Sequence, residues 1–283
     1  MSTVLSHHAY GKSRVRMMKV LRVNDGAHDQ VRDLSVDIAL QGEFDAAYTA
    51  GDNRTVIPTD TMKNLVYVLG RDHSLESIEG FALHVGRHIL GQYPQVSQAA
   101  VTIREHPWRD IIVKNSPHGH AFIGEGGETW CAAAVMNRRN ASLESGLEGL
   151  DILKTADSAF SDFHRDQWTT LKDASERLLR TIVQARWRWS SDAVDYSAAN
   201  QAIRTALLET FAQHVSLSAQ QTLCAMGQRA MDVCQFIDRI AFSLSNRHCN
   251  LVDLSPFGLD NPQMIFIPTD EPHGVIEATI ERR

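Results

Sequence analysis

Cysteine is scarce: four residues, Cys131, Cys224, Cys234 and Cys249, in a chain of 283. None lies in a Cys-x-x-Cys pair, so they are expected to be reduced thiols, three of them flanked by apolar neighbours as core residues are. No apolar run reaches membrane-spanning length, and MSTVLSHHAYGKSRVR lacks the basic-then-apolar order of a secretory signal. The chain ends Ile280-Glu281-Arg282-Arg283, with no Ser-Lys-Leu tripeptide, so cytoplasmic residence without membrane attachment is expected. An excess of positive charge is missing too. Lys and Arg number 28 against 34 Asp and Glu, a net charge of -6. That argues against a nucleic-acid binder but leaves room for a local positive pocket for a small anion. The glycines of the Gly124–Glu128 run GEGGE have neither Walker nor dinucleotide spacing, and read as a tight turn.

What the chain does contain is an order of elements that occurs twice. Val15 to Val23 and Leu34 to Phe44 have strand character around a turn at Asn24-Asp25-Gly26, which predicts a hairpin. Apolar residues at helical spacing predict a helix over Ser74 to Leu90, with strands following at 96–104, 110–114, 120–123 and 129–137. In the second half, strands are predicted at 147–153 and 181–189, then helices at 197–211 and 218–233. Extended runs close the chain at 236–244, 251–254, 264–267 and 275–280. Ser218 and Gln221 have capping-box spacing, which sets a helix start there. The expected fold class is therefore α+β, a duplicated unit of antiparallel sheet covered by helices, divided into residues 1–140 and 141–283. Such sheets leave a face and edges to bury, so oligomerisation is expected.

Three polar segments stand against apolar runs: Tyr10-Gly11-Lys12, Pro58 to Asn64 and Asn246-Arg247-His248. Each reads equally as a capped turn, because Thr, Asp and Asn hydrogen-bond to their own backbone there. Lys12 and Thr59 could act together if the fold joins them, an amine accepting the proton of a hydroxyl. His118 and His120 share a face if their segment is extended, which suits hydrogen bonding, pocket lining or packing. As a metal pair they lack a third ligand at a recognised spacing.

The specific pattern is the set of motifs taken together. The chain resembles the urate oxidase family through YGK at Tyr10 to Lys12 and VIPTDTMKN at Val56 to Asn64. FSDFHRDQWTTLKD at Phe160 to Asp173, Arg177, SAQQT at Ser218 to Thr222 and SLSNRHCNLVDLS at Ser243 to Ser255 follow in family order. This resemblance implies two tandem tunnelling-fold units, a homotetramer, and oxidation of urate by O2 and water to 5-hydroxyisourate and H2O2 without cofactor or metal. By match to the family motifs, Phe160 would stack on the purine while Arg177 grips one edge with parallel donors, a geometry suited to a planar anion. Gln220 would complete the clamp beside the Ala219 backbone amide, in a helix's first turn where free N–H groups favour an anion. Thr59 and Asp60 would approach from a neighbouring subunit, with Lys12 as the relay partner of Thr59. Asn246 would stand by the oxygen or water position, and His248 near Lys12. The family usually has valine where Ala219 stands, and many members have proline and lysine where Ser245 and Arg247 stand. These departures leave the proposed actors intact. Two other readings stay open, a pterin-handling enzyme of the same fold and a purine binder without catalysis.

Overall fold

The computed structural model describes residues 3–22, 28–124 and 126–283. The turn at 24–26 and Glu125 of the glycine run lie outside them. The chain divides into two compact units, Met1–Gly146 and Leu147–Arg283. The α+β class is as the pattern implied, with antiparallel strands under helices in each unit.

In the first unit, β1 (Tyr10–Leu21) pairs with β2 (Gln30–Gly42), β2 with β3 (Val96–His106), and β3 with β6 (Thr129–Met136), all antiparallel. A separate hairpin of β4 (Trp108–Val113) and β5 (Ser116–Gly124) stands between β3 and β6 in the chain. Helix α1 (Asp45–Ala50) is short; α2 (Thr59–Asp72) lies against β1, and α3 (Ile78–Gln92) against β3 and β6. Strand alternation puts Leu34, Val36, Ile38 and Leu40 on one buried face of β2, and Phe81, Val85 and Ile89 form the buried apolar stripe of α3.

Strand β7 (Ala141–Lys154) leads into the second unit, whose strand order is β7, β8 (Leu179–Trp189), β9 (Ile237–Arg247), β12 (Gly274–Glu281). Helices α4 (Tyr196–Gln213) and α5 (Ala219–Val233) pack together, with α5 on β9 and β12. The strands β10 (Cys249–Leu251) and β11 (Phe266–Pro268) form a small antiparallel pair near the end.

The duplication is written in side-chain chemistry as well as in element order. Ser77 caps α3 and Ser218 caps α5, each hydroxyl accepting the N–H three residues on at 3.1 Å. Lys19 on β1 donates to the carbonyls of Gly70, Arg71 and His73 at the end of α2. Lys154 on β7 does the same for Ala212 and His214 at the end of α4. Arg138, just past β6, reaches the α3 carbonyls of Leu90 and Tyr93, and Arg282, just past β12, reaches Met231 and Cys234 of α5. A cation at a helix C-terminus satisfies orphan carbonyls and opposes the dipole. Gly86 and Gly227 occupy matching turns, where an added Cβ would lie 2.5 Å from Met136 Sδ or 2.5 Å from Ile280 Cδ1. Glycine there lets each helix sit close on its sheet.

Three expectations need correcting. Pro58 to Asn64, read as a polar segment or capped turn, opens a full helix, α2, whose apolar signal is thin because only Met62, Val66 and Gly70 of it are buried. Strand β1 begins at Tyr10 rather than Val15, so Lys12 lies within the sheet. All four cysteines are free, but only Cys131 and Cys234 are buried; Cys224 is exposed on the outer side of α5, away from Leu223, Met226 and Ala230. No helix among the described residues is long and apolar enough to cross a membrane.

Replacing Ser218 with alanine removes the α5 cap bond and should cost about 1 kcal/mol. The guanidinium midpoint should fall accordingly with an unchanged slope; an unaltered midpoint would show that the cap contributes nothing.

Candidate active site

The second unit gathers four of the expected ligand-binding positions, Phe160, Arg177, Ala219 and Gln220, on segments bonded to one another. The hub is the irregular stretch 157–160, which bonds to two other segments at once. Toward one segment, Phe160 and Ala174 exchange backbone hydrogen bonds of 2.8 and 2.9 Å, and Arg177 N–H donates to Ser158 O at 2.8 Å. Toward the other, Ala159 N–H donates to Ser216 O at 2.7 Å and Ser216 N–H to Asp157 O at 2.9 Å. Ser216 then leads within two residues to the Ser218 cap and to Ala219 and Gln220, the first turn of α5. A second bond, Thr222 Oγ1 to Ser216 Oγ at 2.8 Å, fastens that turn from inside. Distant parts of the sequence, near 160, 177 and 219, thus meet through main-chain bonds. The capping box is modified: Gln221 Oε1 accepts from Leu217 N–H, one residue before the cap.

Within this cluster Arg177 Cζ lies over the Phe160 ring, 5.1 Å from its centroid. Burial lowers the Arg177 pKa from its usual value, but a guanidinium remains charged. Its Nε–H is buried with no hydrogen-bond partner. A buried, unpaired donor costs about 1–3 kcal/mol, a cost that an anionic acceptor would remove. Ala219 is buried and Gln220 exposed, so the amide side chain is accessible at the helix start. Asn246 lies on β9 opposite Thr181, and Arg180 is paired with Arg247; the C-terminal end of β9 therefore lies beside the start of β8, two residues past Arg177. His248 follows, exposed, its carbonyl accepting from Thr269 N–H at 2.8 Å.

The first unit gathers the other positions. Lys12 is half-buried on β1 opposite Ile38, and Gly11 beside it permits the pairing, since an added Cβ would fall 1.8 Å from Ile38 O. Thr59 and Asp60 open α2 after Pro58. The Asp60 carboxyl is held below the usual carboxylate range, first by its bond from Lys63 and to a smaller degree by the charge of Lys12. The charge of Lys12 thus reaches the α2 N-terminus. Lys12, Thr59 and Asp60 lie in the first unit, and Phe160, Arg177, Ala219 and Gln220 in the second, where the stretch 157–160 ties their segments together through main-chain bonds.

One aromatic lacked an assigned role in the sequence reading. Phe163 stacks on Phe160 with centroids 4.9 Å apart and planes 10° from parallel. Arg165 lies 4.4 Å over Phe163 and pairs with Asp173 at 2.8 Å. The signal was present as two phenylalanines three residues apart in FSDF, in a segment with no periodicity to interpret it. Phe163 stacks against Phe160, so Phe163→Leu should raise the KM for a flat substrate held on Phe160 about fivefold with little change in kcat. Unchanged KM would show that Phe160 holds its position alone.

His118 and His120 stand edge to face, 6.4 Å apart, with His120 Nδ1 3.3 Å from the Asp29 carboxylate. Among the described residues, no group of three or more His, Cys, Asp or Glu side chains is placed to hold a metal ion.

Fold and clusters together define a class: a protein of two tandem helix-covered antiparallel units, the second bearing a buried guanidinium beside an aromatic ring. Comparison with known proteins narrows this. The profile of the family described as Uricase matches residues 8–132 and 143–277. The uricase of Arthrobacter globiformis is 40% identical over 279 residues, spanning 99% of this chain and 90% of that protein. That of Dictyostelium discoideum is 35% identical over 286 residues, spanning 100% and 98%. The crystal structure of the Arthrobacter globiformis uricase matches with a TM-score of 0.94 at 39% identity, covering 100% of this chain and 96% of that one. The chain belongs to the uricase family.

Proposed function

We propose that this protein is a cofactor-independent urate oxidase, converting urate, O2 and water to 5-hydroxyisourate and H2O2. The observation that carries the reading to particular residues is the convergence of Phe160, Arg177 and the first turn of α5, with a buried guanidinium N–H unpaired beside an aromatic ring. Urate is flat and anionic. Phe160 takes its face, and Arg177 and Gln220 take one edge through paired donors and an amide, together with the Ala219 N–H. Thr59 and Asp60 receive the opposite edge. The Thr59 hydroxyl passes a substrate proton to Lys12, leaving an electron-rich anion that reduces O2 directly. Asn246 holds oxygen and then water over the ring, with His248 near the Lys12 end. The chain supplies position and oriented hydrogen bonds.

The two clusters belong to different units, and this reading joins them across subunits. Lys12, Thr59 and Asp60 of one chain face the clamp of another in a homotetramer. Cytoplasmic residence goes with the reading, and cell fractionation tests it. The enzymatic test is direct. Metal-stripped protein added to urate should abolish its ultraviolet absorbance while O2 falls and H2O2 rises in equal amounts. Binding of urate without oxygen uptake would make the protein a purine binder only. Activity that needed stoichiometric zinc would favour a pterin-type site.

A further inference from the structure

The two segments that carry Lys12 and Thr59 are joined by one side chain. Tyr10 Oη accepts a hydrogen bond from Ile57 N–H at 2.8 Å and donates one to Ile57 O at 3.1 Å. A single phenol thus satisfies both backbone groups of a buried residue in the irregular stretch between α1 and α2, as a neighbouring strand otherwise would. The placement is symmetrical in sequence: Tyr10 stands two residues before Lys12, and Ile57 two before Thr59. The register Tyr10 to Leu40, Gly11 to Ala39 and Lys12 to Ile38 is unbroken, so alternation puts the Tyr10 and Lys12 side chains on the same face of β1. The ring itself is fixed, edge to face with fully buried Phe44 at 4.9 Å between centroids. Burial pushes the phenol's pKa up, which keeps the proton it needs to donate to Ile57 O.

We infer that Tyr10 is a positioning residue for the proton relay, setting the Thr59 hydroxyl at transfer distance from Lys12 by clamping Ile57 to the strand that bears the lysine. This rests on the reading of Lys12 and Thr59 as the relay. The physical reason is the steepness of proton transfer with distance, since donor and acceptor must stand about 2.6–3.2 Å apart. Thr59 begins a helix, and the single residue between it and Ile57, Pro58, leaves little slack, so freeing Ile57 moves the hydroxyl. Tyr10 need not touch substrate for this. Its removal should therefore act on the chemical step and leave urate capture to the other cluster.

The experiment is a double-mutant cycle in the full-length enzyme with urate as substrate. Tyr10→Phe keeps the ring against Phe44 and deletes both hydrogen bonds. It should lower kcat about 10- to 100-fold, keep urate KM within about threefold, and shift the pH profile of kcat. In a Thr59→Ala background the same change should lower kcat no further, because the relay it positions is already absent. Should Tyr10→Phe fail to fold, 3-fluorotyrosine at position 10 keeps the volume and weakens the oxygen as an acceptor. It should give the same pattern at several-fold size. An unchanged kcat and pH profile in the folded variant would overturn the inference, as would losses that add fully to those of Thr59→Ala. The underlying reading fails separately: Thr59→Ala and Lys12→Met would then both retain normal kcat.

Discussion

Arg177→Ala should raise the urate dissociation constant by about 100-fold or more, measured by titration without oxygen. Hydrogen bonds to charged groups are worth about 1.5–3 kcal/mol each, and a guanidinium fork makes two to a planar anion, so a loss near 3 kcal/mol is expected. Each 1.4 kcal/mol is about tenfold in affinity, which sets the scale. The environment supports the upper part of that range. The Arg177 main chain is anchored to Ser158 O, its Nε–H has no protein partner, and burial disfavours the charge in the absence of an anion. An anion therefore relieves both an unpaired donor and a poorly solvated cation. Arg177→Lys keeps the charge without the fork and should recover only part of the loss, on the order of tenfold. If Arg177→Ala bound urate normally, the clamp would have to be placed elsewhere in the unit.

How much of this was readable beforehand depends on the range of the interaction. Local devices were legible: the Ser218 cap, the first hairpin and the apolar stripe of α3 follow from short-range spacings. Helix α2 was not, since Tyr67 and Val68 point outward and a mixed pattern of that kind resembles a turn-rich segment. The repeat was visible as element order only. Its chemical form, with Lys19 matched by Lys154 and Arg138 by Arg282, lies in side chains reaching carbonyls roughly fifty residues away, beyond any periodic signal.

The candidate site divides the same way. Motif resemblance nominated Phe160, Arg177 and Gln220 one by one, but nothing in their spacing states that residues 157–160 bond simultaneously to 174–177 and to Ser216. Two long-range antiparallel or parallel bridges do that work, and bridges of single residue pairs leave no alternation to detect. The Tyr10–Ile57 link is of the same kind. A tyrosine before a glycine reads as part of a polar turn until its hydroxyl is seen on a peptide forty-seven positions on. Phe163 was hidden differently: its neighbour was recognised by motif, and the stacking partner three residues later carried no separate role.

Thr59→Ala separates catalysis from binding most sharply. A positioned acid–base group contributes about 10²- to 10⁴-fold, so kcat under saturating urate and oxygen should fall by that factor. The urate dissociation constant should change by only about threefold, because face and Arg177 edge contacts reside in the other cluster. Lys12→Met should produce a loss of similar size, and the double variant should be scarcely worse than either single one, as expected of groups acting as a unit. The proximity of Lys12 to the α2 N-terminus, felt as its charge on Asp60, makes such coupling physically available. Asp60 is already bonded by Lys63 and Asn64, so the hydroxyls of Thr59 and Thr61 are the remaining proton-bearing groups of that turn. A Thr59→Ala enzyme with undiminished kcat would mean that the substrate loses its proton by another route. The hydroxyl would then be a passive donor to the ring edge, and the larger effect would appear in binding. Stopped-flow measurement of urate disappearance decides between these outcomes, since single-turnover rates follow the chemical step without contribution from product release.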